Sequence, residues 1–216
     1  MYRIFLLSAF VLCLFSTSLK AQFNKLEISA FGGYTFGDKF PMSYATGRVD
    51  GGSTYGAMLN FFPRENYGIG LMYTYMPTFL EINGRVVDLP PNGYRRINGD
   101  VHFVTIGGIR RMVVGSGNTA INGSANIGMA ILNATDPGTS YSSASEVMFA
   151  GGLNLWLDQA ISDRIGIKLM ASLQVPMQFA GAGVSIGTGG PNVGMSSYSN
   201  ILIFGFMGGL NVQLGE

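Results

Sequence analysis

In the stretch GDVH, Asp100 and His102 stand two residues apart. On an extended chain that spacing puts both side chains on one face. A carboxylate beside an imidazole is the pairing of a general base held in orientation by its acid. The plainer reading is a hydrogen-bonded pair at a strand end, without turnover. Other segments invite chemistry as well. GAGVSIGTGGPNVG, at 181–194, has the glycine content of a phosphate-cradling loop, but it lacks GK[ST] and a following helix pattern, so an external loop is expected. Met58, Met72, Met76, Met148 and Met170 fall on one phase of their segments and suit packing better than metal ligation, because the thioether chain adapts to irregular gaps. The adjacent Arg95 and Arg96 could contact lipopolysaccharide phosphates; the alternative is simple solvation. The chain's one cysteine, Cys13, lies in a segment expected to be removed, so no thiol nucleophile, disulfide or cysteine–metal site is expected. No catalytic residue, metal or cofactor is assigned.

That segment is the first 21 residues. Arg3 precedes an apolar run, and STSLKA follows it, the three-part layout of a secretory signal peptide. Cleavage after Ala21 leaves 22–216 as one domain. It removes Arg3 and Lys20, so 13 basic residues become 11 against 12 acidic ones, a net charge of −1. This excludes the basic footprint of a nucleic-acid binder. Only 12% of residues are charged, about half the share usual for a soluble domain. The low charge implies an outer surface that does not all face water. With no helical run of 18 apolar residues after the signal, a membrane location requires a closed barrel.

Period-two segments supply one. Eight alternating stretches recur: KLEISAFGGYTF, STYGAMLNFF, YGIGLMYTYMP, DVHFVTIGGIRR, TAINGSANIGMAILN, SEVMFAGGLNLWLD, RIGIKLMASLQVP and NILIFGFMGGLNVQL. Their connections alternate in length. Short turns lie at 63–66, 115–118 and 159–163; long loops lie at 37–52, 77–99, 134–145 and 178–199. An even strand count with short and long connections in turn predicts an all-β, eight-stranded antiparallel up-and-down transmembrane barrel. Pro63, Pro77 and Pro176 are placed at strand ends, and Asn83-Gly84 is read as a hairpin turn extending the sheet outward.

Each strand has a bulky face and a smaller, more polar one. Tyr34, Phe36, Tyr55, Tyr73 and Tyr75 fall near long loops; Phe61 and Tyr67 fall at a short turn. Two aromatic belts with aliphatic residues between them suit headgroup boundaries. The smaller face, with Glu27, Asn60, Thr74, Asn154, Lys168, Ser172, Gln174 and Asn211, then points inward. Eight strands leave room only for side chains, so inward charges must pair. One cluster is expected from Glu27, Arg110 and Lys168 at the short-turn end, and a second from Asp100, His102 and Glu146 at the other. Trp156 falls on the inward phase near the short-turn rim.

The signal peptide, the eight alternating strands, the Gly-Gly pairs beginning at Gly32, Gly107, Gly151 and Gly208, and the turn ISDRIG at Ile161–Gly166 together resemble the outer membrane protein beta-barrel domain family, the small OmpA- and OmpX-like barrels of Gram-negative bacteria. Such chains often end in Phe or Trp; this one ends VQLGE. The resemblance implies an outer-membrane monomer, inserted by the barrel-assembly machinery, with outer-membrane lipid and lipopolysaccharide as its surroundings. Asp100 and His102 also resemble the catalytic pair of omptin proteases, but those are larger ten-stranded barrels with a second acidic pair, and no DxD occurs here. A barrel lipid A deacylase would need a His-x-Ser context that His102 lacks. The favoured expectation is a non-enzymatic barrel with an occluded lumen, working through its outer loops in surface contact or envelope integrity. The alternatives are a narrow transporter for small hydrophobic molecules and a hydrolase using Asp100 and His102.

Overall fold

Alternation decides the architecture: side chains pointing to opposite sides give each strand an apolar outer face and a filled inner one. The computed structural model describes residues 25–42, 45–84, 93–115, 117–135, 143–177, 185–187, 190–192 and 201–214. Twelve strands are described: β1 (Lys25–Phe36), β2 (Asp38–Met42), β3 (Ala45–Val49), β4 (Gly52–Arg64), β5 (Tyr67–Gly84), β6 (Tyr94–Val114), β7 (Thr119–Thr135), β8 (Ser143–Ala160), β9 (Ile165–Met177), β10 (Ser185–Gly187), β11 (Gly190–Asn192) and β12 (Ile203–Leu214). Eight of them close a ring in the order β1, β4, β5, β6, β7, β8, β9, β12, with β12 pairing back onto β1 and every pairing antiparallel. The expected eight-stranded barrel is therefore the architecture observed.

Register sets a slope. One circuit from Glu27 passes Asn60, Gly70, Gly107, Asn126, Gly152 and Gln174 to Ile203, whose neighbour Phe204 faces Phe36. From 27 round to the level of 37 is a stagger of about ten residues, so each row of paired residues climbs the wall as it goes round.

Three local expectations need correcting. The span 37–52 is not a plain loop: β2 and β3 form a hairpin, and β3 pairs with the outer end of β5. Asn83-Gly84 is not the turn. Asn83 faces Tyr94, so the β5–β6 ladder runs past it. Its cross-strand pairing outweighs the local turn preference of the dipeptide. Pro77 lies within β5, opposite Asp100, not at a strand end, while Pro63 sits at the register shift between Phe61 and Arg64, where a missing N–H costs little. The signal segment lies outside the described residues, as does most of 181–194 apart from the β10–β11 hairpin.

The lumen is packed. Its outer half holds an apolar cluster that includes Val49, Leu80, Ile82, Ile97, Val101 and Phe103. Below it, Phe31, Met58, Phe62, Met72, Met170 and Trp156 belong to a second cluster. Four of the five predicted inward methionines are buried, and Met148 is partly so. The outer wall is the reverse: Ile28, Leu71, Ile106, Ile127, Leu153 and Leu169 are all well exposed.

Candidate functional site

The interior holds two networks of charges and hydrogen bonds among the described residues. Near the short-turn end, Arg111 donates from Nη1 to Glu27 Oε1 at 2.6 Å, and Lys25 Nζ lies 3.1 Å from the same oxygen. β6 and β1 are three places apart in the ring, so the Arg111–Glu27 bond crosses the lumen. Asp158 is a second centre. It accepts from Asn122 Nδ2 at 2.9 Å, Trp156 Nε1 at 2.9 Å and Asn211 Nδ2 at 2.8 Å. Lys168 Nζ lies 3.1 Å from Asp158 Oδ1 and 4.6 Å from the Trp156 ring centre. The opposite charge of Asp158 and the face of the Trp156 ring hold that ammonium. Lys168 and Glu27 are both 0% exposed; each sits against an opposite charge, as buried ions must.

One level up, Gln174 Nε2 donates to Thr74 Oγ1 at 2.9 Å. β9 and β5 stand on opposite sides of the ring, so this bond spans its full width. Ser172 donates to Asn154 at 2.6 Å, and Asn154 donates to Ser124 at 3.2 Å. All eight inward polar residues named from alternation are buried.

The predicted charge clusters are only partly assembled. Glu27 and Lys168 lie in the lumen, but Arg110 does not. It is exposed on the outer wall with its guanidinium 4.2 Å from the Tyr67 ring centre, and Arg111 takes the inward place. The phase of β6 explains the error. Phe103 at 1% and Ile109 at 3% exposure fill the lumen, while Ile106 at 52% faces out. Asp100 and His102 share the outward phase with Ile106, so they do not meet Glu146, which points into the barrel with Oε2 buried and unpartnered among the described residues. Asp158 escaped the sequence reading, although the phase of Asn154 and Trp156 leads directly to it.

On the outer wall, His102 Nε2 lies 2.7 Å from Asp100 Oδ1, and Nδ1 lies 2.9 Å from the Tyr73 hydroxyl. Asn133 Nδ2 donates to Asp100 at 2.8 Å. The rings of Tyr73 and Tyr75 flank the imidazole, with centres at 6.0 Å and 5.0 Å. The chain amide–carboxylate–imidazole–phenol, from Asn133 to Tyr73, ties β7, β6 and β5 together, and both imidazole nitrogens are taken up by it. Above this level the outer face turns charged. Asp50 lies 3.2 Å from Arg48 and 3.5 Å from Arg96; Arg96 reaches Glu81 at 3.8 Å and lies over Phe79 at 3.9 Å. Tyr94 donates to Glu81 at 2.7 Å, which lifts its pKa above the usual tyrosine range. The Arg95 side chain lies outside the described residues.

Tyr34, Phe36, Tyr55, Tyr67 and Tyr73 are exposed on the outer wall, and Phe61 and Tyr75 are partly exposed there. Between Arg110 and His102 on β6, the outward residues are Gly108, Ile106 and Val104, without a charge.

No family model and no curated protein matches the sequence. Solved structures do match its fold. Neisserial surface protein A aligns with a TM-score of 0.59 at 7% identity, over 87% of this chain and 96% of that one. The outer membrane protein OprG of Pseudomonas aeruginosa aligns with a TM-score of 0.61 at 9% identity, over 90% and 99%. The outer membrane protease OmpT of Escherichia coli gives 0.50 at 7%, over 88% and 97%. At such identities the likeness is one of fold: this chain has the fold of outer-membrane β-barrels.

Proposed function

We propose that the chain is an outer-membrane barrel that works as a plugged, non-enzymatic platform, presenting its outer sheet and loops for surface contact or envelope integrity. The observation carrying this reading is the pairing of two opposite faces. The outer wall is an uncharged apolar band, bounded by Tyr67 and Arg110 below and by Tyr73, Tyr75 and His102 above, as contact with hydrocarbon requires. The inner wall is bridged by Thr74–Gln174 and Glu27–Arg111, which leaves side chains where a pore would hold water. Monomeric state, signal cleavage and delivery by the barrel-assembly machinery belong to the same reading. So does lipopolysaccharide contact at Arg48 and Arg96, which are half exposed above the band.

Planar-bilayer recording tests the plugged lumen. The inserted wild type is expected to show no steady conductance; a stable open level would overturn the reading. A narrow transporter for small hydrophobic molecules is the second reading, favoured by the apolar outer half of the lumen. Uptake of such a molecule by vesicles carrying a non-conducting barrel would support it. The hydrolase reading loses its lumen setting, because Asp100 and His102 face outward with His102 engaged at both nitrogens.

A further inference from the structure

The outer wall is not evenly covered. A furrow of about 690 Å³ runs along it between two neighbouring rows of outward side chains. One row contains Gly108, Ala125, Leu153, Leu173 and Phe204; the other contains Tyr67, Arg110, Gly123, Leu155 and Ala171. The floor between them is the backbone of inward-pointing residues such as Ser124 and Asn154. A second furrow of about 650 Å³ lies one row nearer the short turns, and the two share Leu155 and Ala171. Both are shallow, open apolar troughs in the wall, not enclosed pockets.

Their direction follows from the stagger of the barrel. Tyr67 is the first residue of β5, Ala171 the seventh of β9, and Phe206 lies eight residues before the end of β12. The row therefore starts at the short-turn rim and climbs about 20 Å as it circles the wall, at ~3.3 Å per residue and a tilt of ~40°. At its low end stands Arg110, exposed, stacked on Tyr67, and with no carboxylate partner among the described residues.

A cation at the low end of one apolar furrow, with a second furrow alongside the first, matches one kind of molecule. We infer that this face holds a diacyl phospholipid of the periplasmic leaflet, with its phosphate on Arg110 and one acyl chain in each furrow. The inference rests on the membrane reading above and gives it a specific lipid site. Arginine supplies the planar donors that suit a phosphate, and Tyr67 holds the guanidinium at headgroup depth.

The glycines allow a clean test. A Cβ at Gly108 meets nothing within 4 Å, one at Gly123 comes no closer than 3.9 Å to any atom, and one at Gly208 no closer than 3.7 Å. A side chain can therefore start from these positions without a clash at Cβ, and leucine there is directed into the furrows. The full chain is inserted into vesicles of phosphatidylethanolamine and phosphatidylglycerol, released in mild detergent, and weighed intact by native mass spectrometry. Wild type is expected to retain one phospholipid per barrel. Arg110→Gln should lower that occupancy about fivefold, the Gly108→Leu/Gly123→Leu double variant should abolish it, and Gly208→Leu should reduce it. Ala57→Leu, exposed on β4 away from the furrows, should leave it unchanged. Retention by the double variant equal to wild type would overturn the inference, as would displacement of the phospholipid by added lipid A. Failure of wild type to enter vesicles at all would instead count against the membrane reading, and vesicle flotation separates that case before any mass is measured.

Discussion

The two halves of the lumen are filled on different principles. Toward the short turns, a few polar side chains each hold several strands. Asp158 alone joins β8 to β7, β9 and β12 through Asn122, Lys168 and Asn211. Toward the long loops, Val101, Phe103, Ala130 and Ile203 meet by shape and volume, with no directional bond among them. A polar layer specifies register, because each donor has one correct acceptor and a mismatch strands a buried charge. An apolar layer excludes water but tolerates exchange of similar volumes.

The contrast can be broken at its strongest point. Asp158→Ala strands the Lys168 ammonium and three buried donors, and should cost about 3–5 kcal/mol. Urea unfolding in vesicles, followed by the electrophoretic mobility of the folded barrel, reads that loss; a cost under about 1 kcal/mol would show that the polar layer does not specify the wall. In the apolar layer, Phe103→Ala should cost about 3 kcal/mol through the cavity it leaves, while Phe103→Leu should recover most of it. The same unfolding assay compares the two, and equal loss in both would argue against packing by volume. The smallest effect separates the neighbouring arginines. Arg111→Met should destabilise by about 2 kcal/mol through the unmatched Glu27, whereas Arg110→Met should stay within about 0.5 kcal/mol because it changes only the outer surface. Similar losses for both would contradict the observed phase of β6.

That pair of residues also marks the limit of what the sequence conveys. In β1, β8 and β9 polar and bulky residues alternate cleanly, and Glu27, Asn154, Lys168 and Ser172 all lie inside as the pattern requires. In β6 both phases are apolar, so alternation does not choose between them. Placing charges inside by default selects the wrong face. The charges of that phase lie at its two ends, Asp100 and His102 above the apolar band and Arg110 at its lower edge, where the outer wall meets water and they need no lumen partner. The turn tendency of Asn83-Gly84 is similarly local and yields to pairing with Tyr94. Arg110 and Arg111 look interchangeable until the phase is known; after that, one is a lumen bridge and the other a surface cation.

Period-two alternation, turn chemistry and the rhythm of connection lengths are short-range properties, and they determined the barrel, its strand number and most of its inward residues. Which inward residues touch each other depended on ring order and stagger. These place β9 opposite β5 and slope every row, so only the closed structure decided that Gln174 meets Thr74, that Asp158 gathers its partners, and that small outward residues line up into a furrow leading from Arg110. Contacts between strands distant in the chain carry no local signature, because closure of the whole sheet is what brings them together.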